Sequence, residues 1–192
     1  MKLRNPLLAL GLIASLTLPT TALHAKTTPP FTLHSQEIKA GATLSEEQVF
    51  NGFGCHGKNR SPTLQWQGAP KGTQSYALTV YDPDAPTGSG WWHWVVFNIP
   101  ATSQGLPAAI PTDGKGLPPG AVQSLTDFGQ PGFGGACPPV GDKPHRYRFT
   151  LHALKVAKLD LPASSMPALV GFMIHANQLA ETSFTAYYGR QK

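Results

Sequence analysis

The chain of 192 residues carries 15 Lys and Arg against 10 Asp and Glu, and 41% of its residues are hydrophobic. This is enough apolar material for one domain with a core, and the small positive excess forms no Lys/Arg run that would indicate nucleic-acid or anionic-membrane binding. The two cysteines lack CxxC spacing, which excludes a compact redox motif or zinc motif.

Residues 1–25 have the layout of a secretory signal peptide. A positively charged start is followed by an apolar run at 7–18 and by small residues up to Ala25. The run is too short to span a bilayer, and no later segment is apolar enough to do so. We expect cleavage after Ala25, or alternatively after Ala22. The remaining 26–192 would be a single domain in the periplasm or secreted.

The two cysteines, Cys55 and Cys137, both lie in the expected mature chain. In an exported protein an even pair favours a disulfide. The bond would close a loop of about 80 residues and stabilise the fold by about 4 kcal/mol in the chain-entropy model. Two reduced thiols are the alternative.

Four strands are predicted in the first half of the mature chain. Runs of β-branched and aromatic residues between Gly/Pro turns indicate long strands at 75–81 and 92–99, with short ones at 31–35 and 63–66. Because 92–99 is apolar on both faces, we expect a central strand that is covered on both sides.

The segment 101–144 differs in composition from the rest of the expected mature chain, since 17 of its 44 residues are Gly or Pro. A stretch of that length without regular structure is uncommon in a compact domain unless it serves a function. A disulfide through Cys137 would hold its end against the rest of the domain.

The last third predicts a strand at 145–154, a helix at 165–180 and a strand at 183–188. Alternation in the first of these puts His145 and Tyr147 on one face. The pattern as a whole predicts a mostly β fold of two packed antiparallel sheets with one or two flanking helices.

The turn after the 75–81 strand has the composition of a binding site. Pro83 restricts Asp82 to extended conformations and Pro86 stiffens the exit, so a carboxylate and backbone N–H groups are held in place. Asp82 could accept a hydrogen bond from a histidine and favour its protonated form. A histidinium there would suit a phosphate or carboxylate.

Each part of this constellation also has a plain structural interpretation. The DPDAP sequence is compatible with an ordinary Asx-type turn, and a histidine in a strand, such as His93, is more often structural than functional. The tryptophans near it would usually be core. We interpret the remaining histidines as surface or packing residues: His34, His56, His152 and His175.

The sequence resembles a known family through two blocks, DPDAP followed by WWHW, and GDKPHRY. Together with the stretches GFGCHGKNRSPTLQW and ALVGFMIHANQLA they are similar to the phosphatidylethanolamine-binding protein family. Within it they look like the bacterial Raf-kinase-inhibitor-like branch (the YbhB/YbcL group), and the signal peptide and cysteine pair resemble its exported YbcL side.

The resemblance implies a β fold with a small anion cavity near one end. The family's animal members have a C-terminal helix near the cavity mouth; this chain has few residues beyond 188, so we expect a more open site. Asp84 and Pro83 would support the turn. The residues implied to bind ligand are Asp82, Pro86, Trp91, His93, His145 and Tyr147.

These observations predict an exported, non-enzymatic protein that binds a phosphate or a similar headgroup, with no cofactor and no metal. A hydrolase using Asp82 with His93 or His145 is one alternative, although no serine or cysteine nucleophile lies in a recognisable context. Recognition of a protein, as an inhibitor of a protease or of a host protein, is another. Raf kinase inhibition does not carry over to an exported bacterial protein.

Overall fold

The computed structural model describes residues 29–192, so the predicted signal peptide lies outside the described residues. The described chain forms short and long strands and one helix. In chain order they are β1 (Thr32–Ser35), β2 (Asn51–Gly52), β3 (Cys55–His56), β4 (Leu64–Gln67), β5 (Ser75–Asp82), β6 (Trp91–Pro100), β7 (Gly105–Leu106), β8 (Val122–Gln123), β9 (His145–Leu154), α1 (Pro167–Asn177) and β10 (Gln178–Tyr188).

Two antiparallel sheets pack on each other. The larger has the strand order β10-β9-β5-β6-β8 and the smaller β1-β4-β7, while β2 and β3 form a separate ribbon. One buried hydrophobic cluster includes Leu64 and Trp66 of the smaller sheet and Leu78 and Phe149 of the larger, so the main core lies between the sheets. The predicted mostly β fold with two packed antiparallel sheets is confirmed.

The helix α1 covers the other face of the larger sheet. Its Val170 and Ile174 belong to a second buried cluster with Ala77, Val95 and Phe97 of β5 and β6. Pro at the first helical position lacks an N–H that would have no partner there in any case. Across 29–192, none of the helical structure combines the length and the apolar character that a membrane span requires.

The predicted boundary between the helix and the last strand is wrong. The helix ends at Asn177 instead of 180, and β10 begins at Gln178 instead of 183. Gln178 is paired with Leu154 of β9, and its side-chain oxygen accepts a hydrogen bond from Nδ1 of His152 at 2.7 Å. Pairing with β9 therefore overrides the helix propensity of this Ala- and Leu-containing stretch.

The predicted interior position of β6 is confirmed: the strand lies between β5 and β8, and 93–99 is buried on both faces as expected. The strand lies second from the sheet edge, and only Val96 and Phe97 pair with β8. The Gly/Pro segment covers the rest of that edge: the N–H groups of Asp127 and Gly134 donate to the carbonyls of β6 at 3.1 and 2.8 Å. A loop can thus satisfy the edge of an apolar strand in place of a neighbouring strand.

A disulfide joins Cys55 of the β2–β3 ribbon to Cys137 near the end of the Gly/Pro segment. A backbone bridge between Val49 and Ala136 runs beside it. The long segment is therefore fastened to the body of the domain at the point where the sequence suggested.

Replacing both cysteines with serine should lower the free energy of unfolding by about 4 kcal/mol, because the unfolded chain regains the entropy of the closed loop. Urea unfolding of the double variant against the wild type measures the difference. An unchanged midpoint and slope would contradict this stabilising role.

Candidate ligand-binding site

A cavity of about 150 Å³ lies where β5 ends and where β6 and β9 begin. It is formed by the turn after β5, the first residues of β6 and β9, and two loops. All six residues that the sequence suggested as ligand-binding line it, namely Asp82, Pro86, Trp91, His93, His145 and Tyr147. The structure therefore brings together residues that are more than sixty positions apart in the chain.

The turn after β5 is fixed from two sides. Oδ1 of Asp82 accepts a hydrogen bond from the N–H of Asp84 at 2.8 Å, the Asx arrangement that the sequence pattern indicates. Asp84 itself accepts three hydrogen bonds from Arg146, at 2.6 to 2.9 Å, two of them from the guanidinium. The Arg146 guanidinium lowers the pKa of the Asp84 carboxyl to about 2. Asp84 thus faces the neighbouring strand and is not a lining residue.

Asp82 and His145 form a buried hydrogen-bonded pair. His145 Nδ1 lies 2.7 Å from Asp82 Oδ2, and the side chains are 5% and 3% exposed. Because the carboxylate accepts, the proton of this bond is on Nδ1 of His145. Nε2 of the same ring lies 3.4 Å from the more exposed carboxylate of Asp142. Asp82 therefore fixes the orientation of the His145 ring at the cavity wall.

His93 is held by the main chain instead of a carboxylate. Its Nδ1 donates to the carbonyl of Gly134 at 2.7 Å, and its ring lies edge-on to Tyr147 and Phe128. Burial lowers the pKa of His93, although the Gly134 carbonyl and the Asp82 and Asp127 carboxylates act in the opposite direction. Burial therefore disfavours an imidazolium at His93, in contrast to the expectation of a histidinium in the cavity.

Two buried polar atoms of the cavity residues have no hydrogen-bond partner. They are Nε2 of His93 and the hydroxyl of Tyr147; within 29–192 the only comparable side-chain atom is Oγ of Ser165. Burial, and then the negative charge of Asp82, raises the pKa of the Tyr147 phenol, so it stays a donor. Buried polar groups in native proteins nearly always have partners. Two without a partner in one cavity indicate a place for a ligand or water.

The rest of the cavity wall is mostly apolar and was not predicted from the sequence. It comes from the Gly/Pro segment, from the turn after β5 and from the β2–β3 ribbon, with Phe53 71% exposed at the mouth. The unusual length of the Gly/Pro segment was the available signal, but nothing in the sequence indicated which of its residues turn inward. The further lining residues are Phe53, Ala85, Thr87, Phe128, Cys137, Pro138 and Pro139.

The other histidines lie elsewhere. His152 is half-buried between Thr79 and Gln178, and His34 lies near Gln65 on the surface. In the part of the chain that the structure describes, no three His, Cys, Asp or Glu side chains are grouped so that they could hold a metal ion.

Comparisons with known proteins agree with one another. A family model described as phosphatidylethanolamine-binding protein matches residues 34–189. Escherichia coli YbcL is 57% identical over 159 residues, 82% of this chain and 87% of YbcL. E. coli YbhB is 47% identical over 156 residues, 81% of this chain and 98% of YbhB. The crystal structure of YbcL has a TM-score of 0.82 at 56% identity, covering 83% of this chain and 98% of that one.

The His93 ring should keep its proton on Nδ1 and titrate below about 6.5, the usual histidine pKa, because burial disfavours the imidazolium. The unfolded chain then binds this proton at higher pH than the folded one, so the free energy of unfolding should fall as the pH drops below about 6.5. Long-range ¹H–¹⁵N spectra across a pH series measure the tautomer and the midpoint. Protons on both ring nitrogens at neutral pH would contradict the assignment.

Proposed function

The chain belongs to the phosphatidylethanolamine-binding protein family, and we propose that it is an exported, non-enzymatic protein whose cavity binds a small anion of the phosphate type. The observation that carries the proposal is the pair of buried polar atoms without partners, Nε2 of His93 and the hydroxyl of Tyr147, in one cavity. Asp82 contributes by orienting His145.

The size and walls of the cavity favour a small polar group attached to something larger. Its volume of about 150 Å³ is below the roughly 300–1,000 Å³ of pockets that enclose drug-sized ligands. Apolar walls exclude water and so strengthen each hydrogen bond made inside. The rest of a ligand would lie at the mouth against Trp91 and Phe53, which suits a phosphorylated compound or a lipid headgroup.

Two features support export. The sequence begins with the layout of a secretory signal peptide, and the structure contains a disulfide between Cys55 and Cys137, which is typical of oxidising compartments. We therefore assign the protein to the periplasm or the extracellular space. A protein partner, unidentified, would meet the cavity mouth there.

A hydrolase is the second candidate, because the pair of Asp82 and His145 at 2.7 Å has the components of a general base with its orienting group. Against it, the cavity offers no activated nucleophile: its only side-chain hydroxyls are those of Thr87 and Tyr147, and Cys137 is oxidised. We therefore rank hydrolysis below binding.

Tyr147→Phe should weaken binding of inorganic phosphate about tenfold, because it removes one hydrogen-bond donor to a charged ligand. The variant should fold normally, since the hydroxyl has no partner in the structure. Calorimetric titration near pH 6 measures the change, and Tyr76→Phe, in the core between the sheets, is the matched control. If Tyr147→Phe and His93→Ala both bind phosphate like the wild type, the cavity is not the anion site.

The wild type should not hydrolyse carboxylic esters or phosphodiesters faster than an Asp82→Asn variant between about pH 6 and 8, because orientation of His145 alone does not supply a nucleophile. Release of a chromogenic leaving group is the measurement. Turnover that is present in the wild type and lost in Asp82→Asn would replace the binding proposal with the hydrolytic one.

A further inference from the structure

Which ring nitrogen of His93 carries the proton determines whether this side chain donates or accepts a hydrogen bond in the cavity. The Gly134 carbonyl can only accept, so the hydrogen bond of 2.7 Å places the proton of the neutral His93 ring on Nδ1. Its Nε2, buried and without a partner in a residue that lines the cavity, then carries a lone pair and no proton. A fully deprotonated anion also presents only lone pairs, and the two would repel each other.

The charges around His93 also disfavour a doubly charged ligand. The groups that face it are the carboxylate of Asp82 on β5, the carboxylate of Asp127 in the Gly/Pro segment, and His145 and Tyr147 on β9. Among the cavity-lining residues, all within the described range, none is Lys or Arg. An incoming dianion would therefore meet acidic groups without a full compensating charge.

The guanidinium groups of Arg146 and Arg190 already have hydrogen-bond partners. That of Arg146 holds Asp84, and that of Arg190 donates to the carbonyls of Gly54 and Pro138. The proline residues of the wall also lack a backbone N–H. The cavity thus combines one strong acceptor with few donors.

We propose that the cavity selects acid phosphates, that is, phosphomonoesters bound as the monoanion that keeps one P–OH group. The P–OH group donates a hydrogen bond to Nε2 of His93, and another phosphate oxygen accepts a hydrogen bond from the hydroxyl of Tyr147. This inference rests on the proposed phosphate site. It also separates two sources of phosphate, because a phosphodiester, such as the headgroup of an intact phospholipid, has no P–OH to donate.

Binding of the monoanion alone predicts that the apparent affinity falls as the pH rises. A phosphomonoester loses its second proton with a pKa of about 6, so at higher pH the ligand is mostly a dianion in solution. Binding must then take up one proton from the solvent for each ligand bound. The apparent affinity should fall about twentyfold between about pH 5.5 and about pH 7.5, following the monoanion fraction.

Methyl phosphate and dimethyl phosphate form a matched pair of probes that differ in this one proton. Calorimetric titration of the wild type at about pH 7.5, in two buffers of different ionisation enthalpy, counts the protons taken up. We expect methyl phosphate to take up about one proton and, at about pH 5.5, to bind about tenfold more tightly than dimethyl phosphate. Because the diester does not titrate here, it reports the protein's own titration.

The calorimetric results test the selectivity for the monoanion and the existence of the phosphate site separately. If both probes bind with similar affinity, or if the diester takes up a proton as well, His93 becomes protonated on binding; the inference then fails and the phosphate site stands. Tight binding of methyl phosphate without proton uptake also overturns the inference. If neither probe binds at millimolar concentration, the phosphate site itself is wrong. Every arm uses wild-type protein. Unchanged proton uptake in a His175→Ala control would exclude this exposed helix histidine as its source.

Discussion

The antiparallel pairing of β5 with β9 is the constraint on which the site depends. The register runs from Ser75 opposite Leu154 to Tyr81 opposite Arg148, which brings the end of β5 alongside the start of β9. Side chains alternate between the faces of a strand, so Asp82 reaches His145 on one face while Asp84 turns to Arg146. A slip of one residue would direct Asp82 to the opposite face of the sheet. The buried aspartate–histidine bond is thus a consequence of sheet register.

Burial determines the electrostatic character of the cavity. The two histidines share a cavity, but one is hydrogen-bonded to a carboxylate and the other to a carbonyl. Removing an imidazolium from water is costly unless a carboxylate compensates for it directly. His93 has no such contact, and it therefore contributes a lone pair where its residue type suggests a charge. Residue composition alone would describe this site as more cationic than it is.

Much of the architecture follows from local patterns, whereas the cavity wall does not. Alternation predicted the bounds of the 145–154 strand and the face shared by His145 and Tyr147, because period-2 burial is a property of the segment itself. The short pairing of β6 with β8 and the early start of β10 depend on which distant segment pairs with them, which a single stretch of sequence does not encode. Phe53 and Phe128 reach the cavity for the same reason, and the tautomer of His93 depends on a carbonyl 41 positions away.

The disulfide links the completion of the cavity wall to the oxidation of the two cysteines. Cys137 is itself part of the cavity wall, next to Pro138 and Pro139, and its partner Cys55 lies two residues from Phe53 at the mouth. Oxidation therefore joins the two loops that enclose the ligand space. With reduced thiols the backbone bridge between Val49 and Ala136 would remain, but the covalent link between the two loops would be absent, so full closure of the cavity wall depends on thiol oxidation.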